Sequence, residues 1–302
     1  MRNVMTTMAL QPPPRLYAAT EQIDRLRKAP NSPLLKQAQQ RLLATVDGYL
    51  ASPDFDWKLN THNAHLLRAR TMQTRVVSLL VAWRMTSDER YRQAAVEHVL
   101  AMGDWEYWSW ITWRQDNADP LAIFDLSYGE NAATLAIAWD WLVDTLTPTQ
   151  RKHFVRIARD RALRPFLAHS GRRNAAFWFG RPDSNWNTVC AGGAGMLALA
   201  MHEELSEARG ALPRAEASFI PYMEELRATD GGWTEGLGYW NYGMRYAFMY
   251  LLSHERATDQ RHPLLRQKAT RQTLSFPIDL APHGISCGFG DANSWKPMPF
   301  HY

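Results

Sequence analysis

Apolar residues recur along this chain at the 3.6-residue period of helices, and strict polar–apolar alternation is almost absent. The pattern predicts a short helix from Thr20, its cap, through Arg27. Pro33 opens a second, with Leu35, Ala38, Leu42, Val46 and Tyr49 on one face. A third, from about Arg70 to Arg84, carries Met72, Val76, Leu79, Leu80 and Trp83. Thr86-Ser87-Asp88-Glu89 reads as a capping box ahead of a helix with Tyr91, Ala95, Val99 and Met102 inward. Ser127-Tyr128-Gly129-Glu130 reads the same way ahead of a strongly apolar helix through Leu146. Thr147-Pro148-Thr149-Gln150 starts the next, which runs to about His169. Further helices are predicted at about 185–206, 212–228, 237–256 and 262–275.

Between these runs the periodicity fails. Residues 1–16 are a Pro-interrupted lead-in, and Ala51 to Asn63 is polar. Gly103 to Leu126 is a long loop crowded with Trp105, Tyr107, Trp108, Trp110 and Trp113. Gly171 to Ser184 is a basic, aromatic loop with Arg172, Arg173 and Arg181. From Pro277 the helical period is lost, and the alternation at Ile285 to Phe289 fits strand or loop. About ten helices with short capped connections predict an all-α fold, an array of α/α hairpins. Closed or partly closed, such an array is a toroid with a cleft lined by helix ends; an open helical solenoid is the simpler alternative. The expected division is a helical domain over 1–276 and an irregular or β tail over 277–302.

Composition narrows the function classes. The 302 residues carry a net charge of only +4 and no basic stripe, which argues against nucleic-acid binding. Only six of the 34 basic Lys and Arg residues are Lys. Arg forks suit carboxylates and sulfates, although codon usage explains the skew equally well. Two Cys, Cys190 and Cys287, make neither a disulfide framework nor a zinc pattern. No stretch approaches the roughly 18 apolar residues of a membrane span. Met1 to Leu10 lacks a signal-peptide core, so the compartment stays open.

The chemistry concentrates between Asp183 and Tyr246. Asn185-Trp186-Asn187 places two amides around an indole at a predicted helix start. Ser184 or Asn185 can cap that helix, and the amides also suit an anionic ligand group. Gly192, Gly193 and Gly195 follow, and close helix approach is the expected reason for them. The second motif runs from Asp230 to Gly243 and contains Glu235, Tyr239, Trp240, Asn241 and Tyr242, with Arg245 just beyond. Tyr239, Tyr242 and Tyr246 have the spacing of a helical face, either a core stripe or an acid–base pair. The indoles Trp108, Trp110 and Trp113, set among charges, fit a sugar-stacking wall. His62 and His65, three apart, read as a weak metal pair or as surface, and His283, which precedes a glycine in the terminal segment, could reach the cleft.

These motifs resemble the heparinase II/III-like polysaccharide lyases, a family that includes oligoalginate lyases. Further points of resemblance are Pro13-Pro14-Arg15-Leu16-Tyr17, Ala138-Trp139-Asp140-Trp141-Leu142 with Leu146-Thr147-Pro148, and Phe289-Gly290-Asp291-Ala292. The resemblance implies an α/α toroid followed by a β-sandwich, which this chain would lack, ending as it does shortly after Asn293. It implies β-elimination on a uronate-containing polysaccharide, with no redox cofactor, and a periplasmic or secreted setting. Asn185, or Asn187, would neutralise the C5 carboxylate; Tyr239, or Tyr242, would act on the leaving oxygen or the C5 proton. Trp186 stands where relatives carry a His. Substrate contacts would come from Trp186, Glu235, Trp240, Arg245 and the Trp loop. Two rival expectations are a glycoside hydrolase using Asp230 and Glu235, and an inactive sugar-binding protein.

Overall fold

A computed structural model describes residues 9–18, 20–28, 32–55, 57, 60–122, 125–171, 175–281 and 283–291. Arg172 and Arg173 of the basic loop, and the chain from Ala292 onward, lie outside the described residues. The fold is all-α. In order come α1 (Thr20–Lys28), α2 (Pro33–Ala51), α3 (Ala64–Thr86), α4 (Glu89–Ala101), α5 (Trp110–Arg114), α6 (Leu126–Leu142) and α7 (Pro148–Ile157). They are followed by α8 (Arg164–His169), α9 (Asn185–Ala200), α10 (Ser206–Ala228), α11 (Leu237–Thr258), α12 (Pro263–Arg266), α13 (Lys268–Gln272) and α14 (Phe276–Leu280).

Helices α3, α6, α9 and α11 form a row, each lying against the next, and α10 backs α9. The row is concave, because side chains of α3 and α11 meet across α6 and α9: Arg245 of α11 donates to Gln73 Oε1 of α3 at 3.1 Å. Every residue of α6 is buried, and every residue of α9 but Trp186. That is why these two helices read as apolar all round rather than amphipathic. Glycines allow the close contact. A Cβ on Gly193 would stand 2.2 Å from the Gly129 carbonyl oxygen, and one on Gly129 would stand 2.4 Å from that of Val189. Cys190 is wholly buried in the same contact.

Several expected boundaries shift for local reasons. Helix α3 starts at Ala64, not near Arg70, because buried Ala64, His65 and Leu66 already contact the core. The capping boxes expected at Thr86 and Ser127 do not form. Asp88 caps α4 by accepting from Arg90 N, and Asp125 caps α6 by accepting from Ser127 N. A carboxylate two residues away from the expected hydroxyl takes the orphan amide, and Glu130 is left for another role. Thr147 and Gln150 do form both arms of their box. The helix expected to His169 passes through a π-helical segment, Ala158–Leu163, just before Pro165. Proline lacks an amide donor and crowds the preceding turn, and the wider turn accommodates this. The run expected at 185–206 ends at Ala200, and the run expected at 262–275 breaks into α12 and α13. The Trp loop contains α5, capped by Ser109 Oγ. The tail folds α14 and then isolated bridge residues at Ile285 and Phe289.

Candidate functional site

The N-terminus of α9 and the first turns of α11 open on the concave face. Gly243 is what lets them meet, for a Cβ there would stand 3.0 Å from Asn185 Cβ and 2.3 Å from the Tyr222 hydroxyl. Beside this contact lies a cleft of about 420 Å³, lined by Arg70 of α3, Asn185 of α9, and Gly238, Tyr239, Asn241, Tyr242 and Arg245 of α11. The structure thus brings together Asn185, Tyr239, Tyr242 and Arg245 of the residues singled out in the sequence.

Their states differ. Asn185 is 2% exposed, and its buried Nδ2 has no hydrogen-bond partner among the described residues. Its side chain makes no cap hydrogen bond, so helix capping does not account for it. An orphaned buried donor of this kind costs about 1–3 kcal/mol, which a ligand acceptor would recover. Tyr239 is 38% exposed, its phenol at the cleft. Tyr242 instead donates its hydroxyl to Glu130 Oε1 at 2.5 Å. Burial, and then the Glu130 charge, push its phenol well above the usual range. Tyr242 therefore stays a neutral donor. Arg70 gives Nη2 to Glu130 Oε1 at 2.8 Å and Nε at 3.1 Å. Burial alone would lower the Arg70 guanidinium, but Glu130 outweighs it and holds the group more firmly protonated than usual. Glu130 Oε2 is buried with no partner among the described residues.

Asn187 lies in the wall rather than on the cleft. Its Nδ2 donates to the Arg181 and Ser218 carbonyls at 2.8 and 2.7 Å, and its Oδ1 accepts from Ser218 Oγ at 2.6 Å. All its valences are internal, and it ties α9 to α10 and the preceding loop. Asn187→Ala is expected to lower stability by about 2–4 kcal/mol, since it strands the Arg181 and Ser218 carbonyls and the Ser218 hydroxyl. Thermal denaturation checks this, and the surviving folded fraction should keep whatever activity the wild type has.

Two indoles of the expected stacking wall, Trp108 and Trp110, are buried, and Trp113 is half-buried. Trp108 is 1% exposed and donates Nε1 to the Met102 carbonyl at 2.9 Å. Trp110 is buried and meets the half-buried Trp186 edge-on at 5.2 Å, and Phe177 lies 5.0 Å from Trp186. Trp113 packs on His65 at 5.2 Å. Trp240 is wholly buried and donates to Thr273 Oγ1 at 2.7 Å. These indoles anchor loops to the helices, because an apolar ring of that size gains more from burial than from solvent. Glu235 is half-buried beneath the tail, accepts from Trp233 Nε1 at 2.9 Å, and is pushed up by burial and then by Asp291 and Asp183. Asp230 is an exposed left-handed turn residue (φ 51°), and His283 is exposed. None of Asp230, Glu235 and His283 lines the cleft.

His62 and His65 do not pair either. His62 is exposed, while His65 is 3% exposed with neither ring nitrogen bonded among the described residues. Burial and then Arg68 bring the His65 imidazole down to about 4, and burial and then Arg75 do the same to His98. Both are lower folded than unfolded, so the unfolded chain binds more protons between pH 6.5 and 4. Stability should be full above about 6.5 and fall through that window. Chemical denaturation at pH 7 and pH 5 should show the loss, and His65→Phe should diminish it. An unchanged midpoint between the two pH values would contradict this.

Asn241 of the second motif also lines the cleft, whereas Arg70, Gln73 and Glu130 were not apparent from the motifs. The available signal was an acid in an otherwise apolar helix, and Arg70 and Gln73 three apart on one face of α3. No protein-family model matches the chain, and no curated protein matches it.

Proposed function

We propose that this chain is a polysaccharide lyase that cleaves a uronic-acid-containing polysaccharide by β-elimination. The observation that carries the reading is one cleft holding an unpartnered buried Asn185 amide, an accessible Tyr239 phenol and the Arg245 guanidinium. Asn185 Nδ2 and Arg245 receive the C5 carboxylate and withdraw its charge, which acidifies the C5 proton. Tyr239 relays that proton through its phenol oxygen to the glycosidic oxygen. The C5–H and C4–O bonds break, a C4–C5 double bond forms, and no proton is gained or lost overall. Tyr242, raised by burial and Glu130, acts as a hydrogen-bond donor rather than as the base. The concave row of α3, α6, α9 and α11 supports the reading, since a toroid of hairpins offers such a face to its substrate.

The test is ultraviolet absorbance of the purified chain with alginate, heparan sulfate and hyaluronan in parallel. The unsaturated product absorbs, and a hydrolysis product does not. Rising absorbance on one polymer is the expected result. A flat trace on all three, from protein with a helical circular-dichroism spectrum, would overturn it.

A further inference from the structure

Arg70 and Arg245 both line the cleft, but only one of them is neutralised. Arg70 is paired with Glu130 at 2.8 Å. Arg245 has no carboxylate partner among the described residues, and its Nη2 is held at 3.1 Å by the amide oxygen of Gln73. The orientation of that amide is fixed by its neighbours. Gln73 Oε1 also accepts from the Tyr246 hydroxyl at 3.3 Å, and Nε2 donates to the Glu130 carbonyl at 3.2 Å and to Thr134 Oγ1 at 3.4 Å. An arginine only donates and a carbonyl only accepts, so the amide cannot be turned round. Gln73 is 4% exposed, a buried polar group with each of its atoms bonded. Arg245 also forms the wall of a second, apolar cavity of about 710 Å³, lined by Tyr17, Phe248, Leu252 and Leu274 among others. A ligand anion at Arg245 therefore lies where a polar and an apolar chamber meet.

We infer that Gln73 is a specificity-determining residue: its neutral amide positions Arg245 without compensating its charge, so the cleft selects a ligand with one carboxylate at the junction of the two cavities. This rests on the proposed reading for the kind of ligand, a uronate-bearing sugar, but not on the elimination step. A carboxylate at position 73 would fill the place the ligand anion takes. A side chain of similar size without charge would loosen Arg245 and leave it a cation.

The test compares full-length wild type, Gln73→Glu, Gln73→Met and Arg245→Met by calorimetric titration. The probes are alginate and hyaluronan oligosaccharides, and the same oligosaccharides with their carboxyls reduced to alcohols. Wild type should bind at least one carboxylated probe more tightly than its reduced form. Gln73→Glu should lose about 10-fold or more of that affinity, and Gln73→Met clearly less, because a buried charge contact is removed in the first and only displaced in the second. All the proteins should bind the reduced probes alike. Arg245→Met, which needs no new charge in the core, should lose most of the preference for the carboxylate, Asn185 keeping the rest, and so decides the matter if Gln73→Glu does not fold. Equal losses in Gln73→Glu and Gln73→Met would make Gln73 merely structural and overturn the inference. So would a preference undiminished in Arg245→Met, or a wild type with no preference. Carboxylate-selective binding without ultraviolet product would sink the lyase reading and leave this inference standing.

Discussion

Tyr239→Phe is expected to reduce turnover by about 10²–10⁴-fold, the usual contribution of a positioned acid–base group. The change removes one oxygen from a residue that is 38% exposed. No protein group depends on that oxygen among the described residues, so the helical spectrum and melting temperature should stay within experimental error. Affinity for an uncleaved uronate oligosaccharide should change little, because Asn185, Arg70 and Arg245 are untouched. The contrast with Tyr242→Phe is informative. That change deletes the 2.5 Å bond to Glu130, leaving a buried carboxylate with one donor fewer, and should lower stability as well as activity. Progress curves on whichever polymer gives ultraviolet product, alongside thermal melts, separate the two. Wild-type turnover in Tyr239→Phe would remove it from the mechanism.

Gly193→Ala is expected to be the most damaging small substitution in the helical row. Its Cβ would lie 2.2 Å from the Gly129 carbonyl oxygen and 3.0 Å from the carbonyl carbon, both backbone atoms that no rotamer change can move aside. Overpacking of a core typically costs about 1–3 kcal/mol. Here it requires α6 and α9 to separate, so the upper end or beyond is expected, with a drop of several degrees in melting temperature. Because Asn185 begins α9, the shift should also misplace its amide, and a displacement of about 1 Å can cost up to about 10²-fold in rate. Gly48→Ala is the control. Nothing lies within 4 Å of a Cβ there, and it sits inside α2, so alanine should stabilise by about 0.5–1 kcal/mol. A Gly193→Ala protein as stable as wild type would show that the two helices do not meet as described.

Asn185→Ala tests a further member of the cleft. Its amide makes no cap hydrogen bond, so truncation should spare stability by comparison with Asn187→Ala and weaken turnover. Loss of stability without loss of turnover would return Asn185 to a structural role.

The sequence by itself determined the all-α class, most helix positions, the capping box at Thr147 and the glycines of α9. Each follows from periodicity or from a side chain acting on its own neighbours, which are local in the chain. It also determined that Asn185, Tyr239, Tyr242 and Arg245 belong to two polar-aromatic motifs. Only the tertiary structure decided their division of labour. Asn185 and Asn187 look equivalent in sequence, two residues apart at one helix start, but that spacing turns one toward the cleft and the other into Ser218 of α10. Trp108 and Trp240 read as sugar contacts because indoles serve both purposes, and only burial distinguishes them. Glu130 read as a capping residue because its neighbours fit the pattern. Arg70 lies 60 residues before it and Tyr242 112 residues after it, and these partners give it its role. Gln73 reaches Arg245 across 172 residues of chain. Charge compensation in a folded cleft depends on such distant pairs, and no local pattern encodes them.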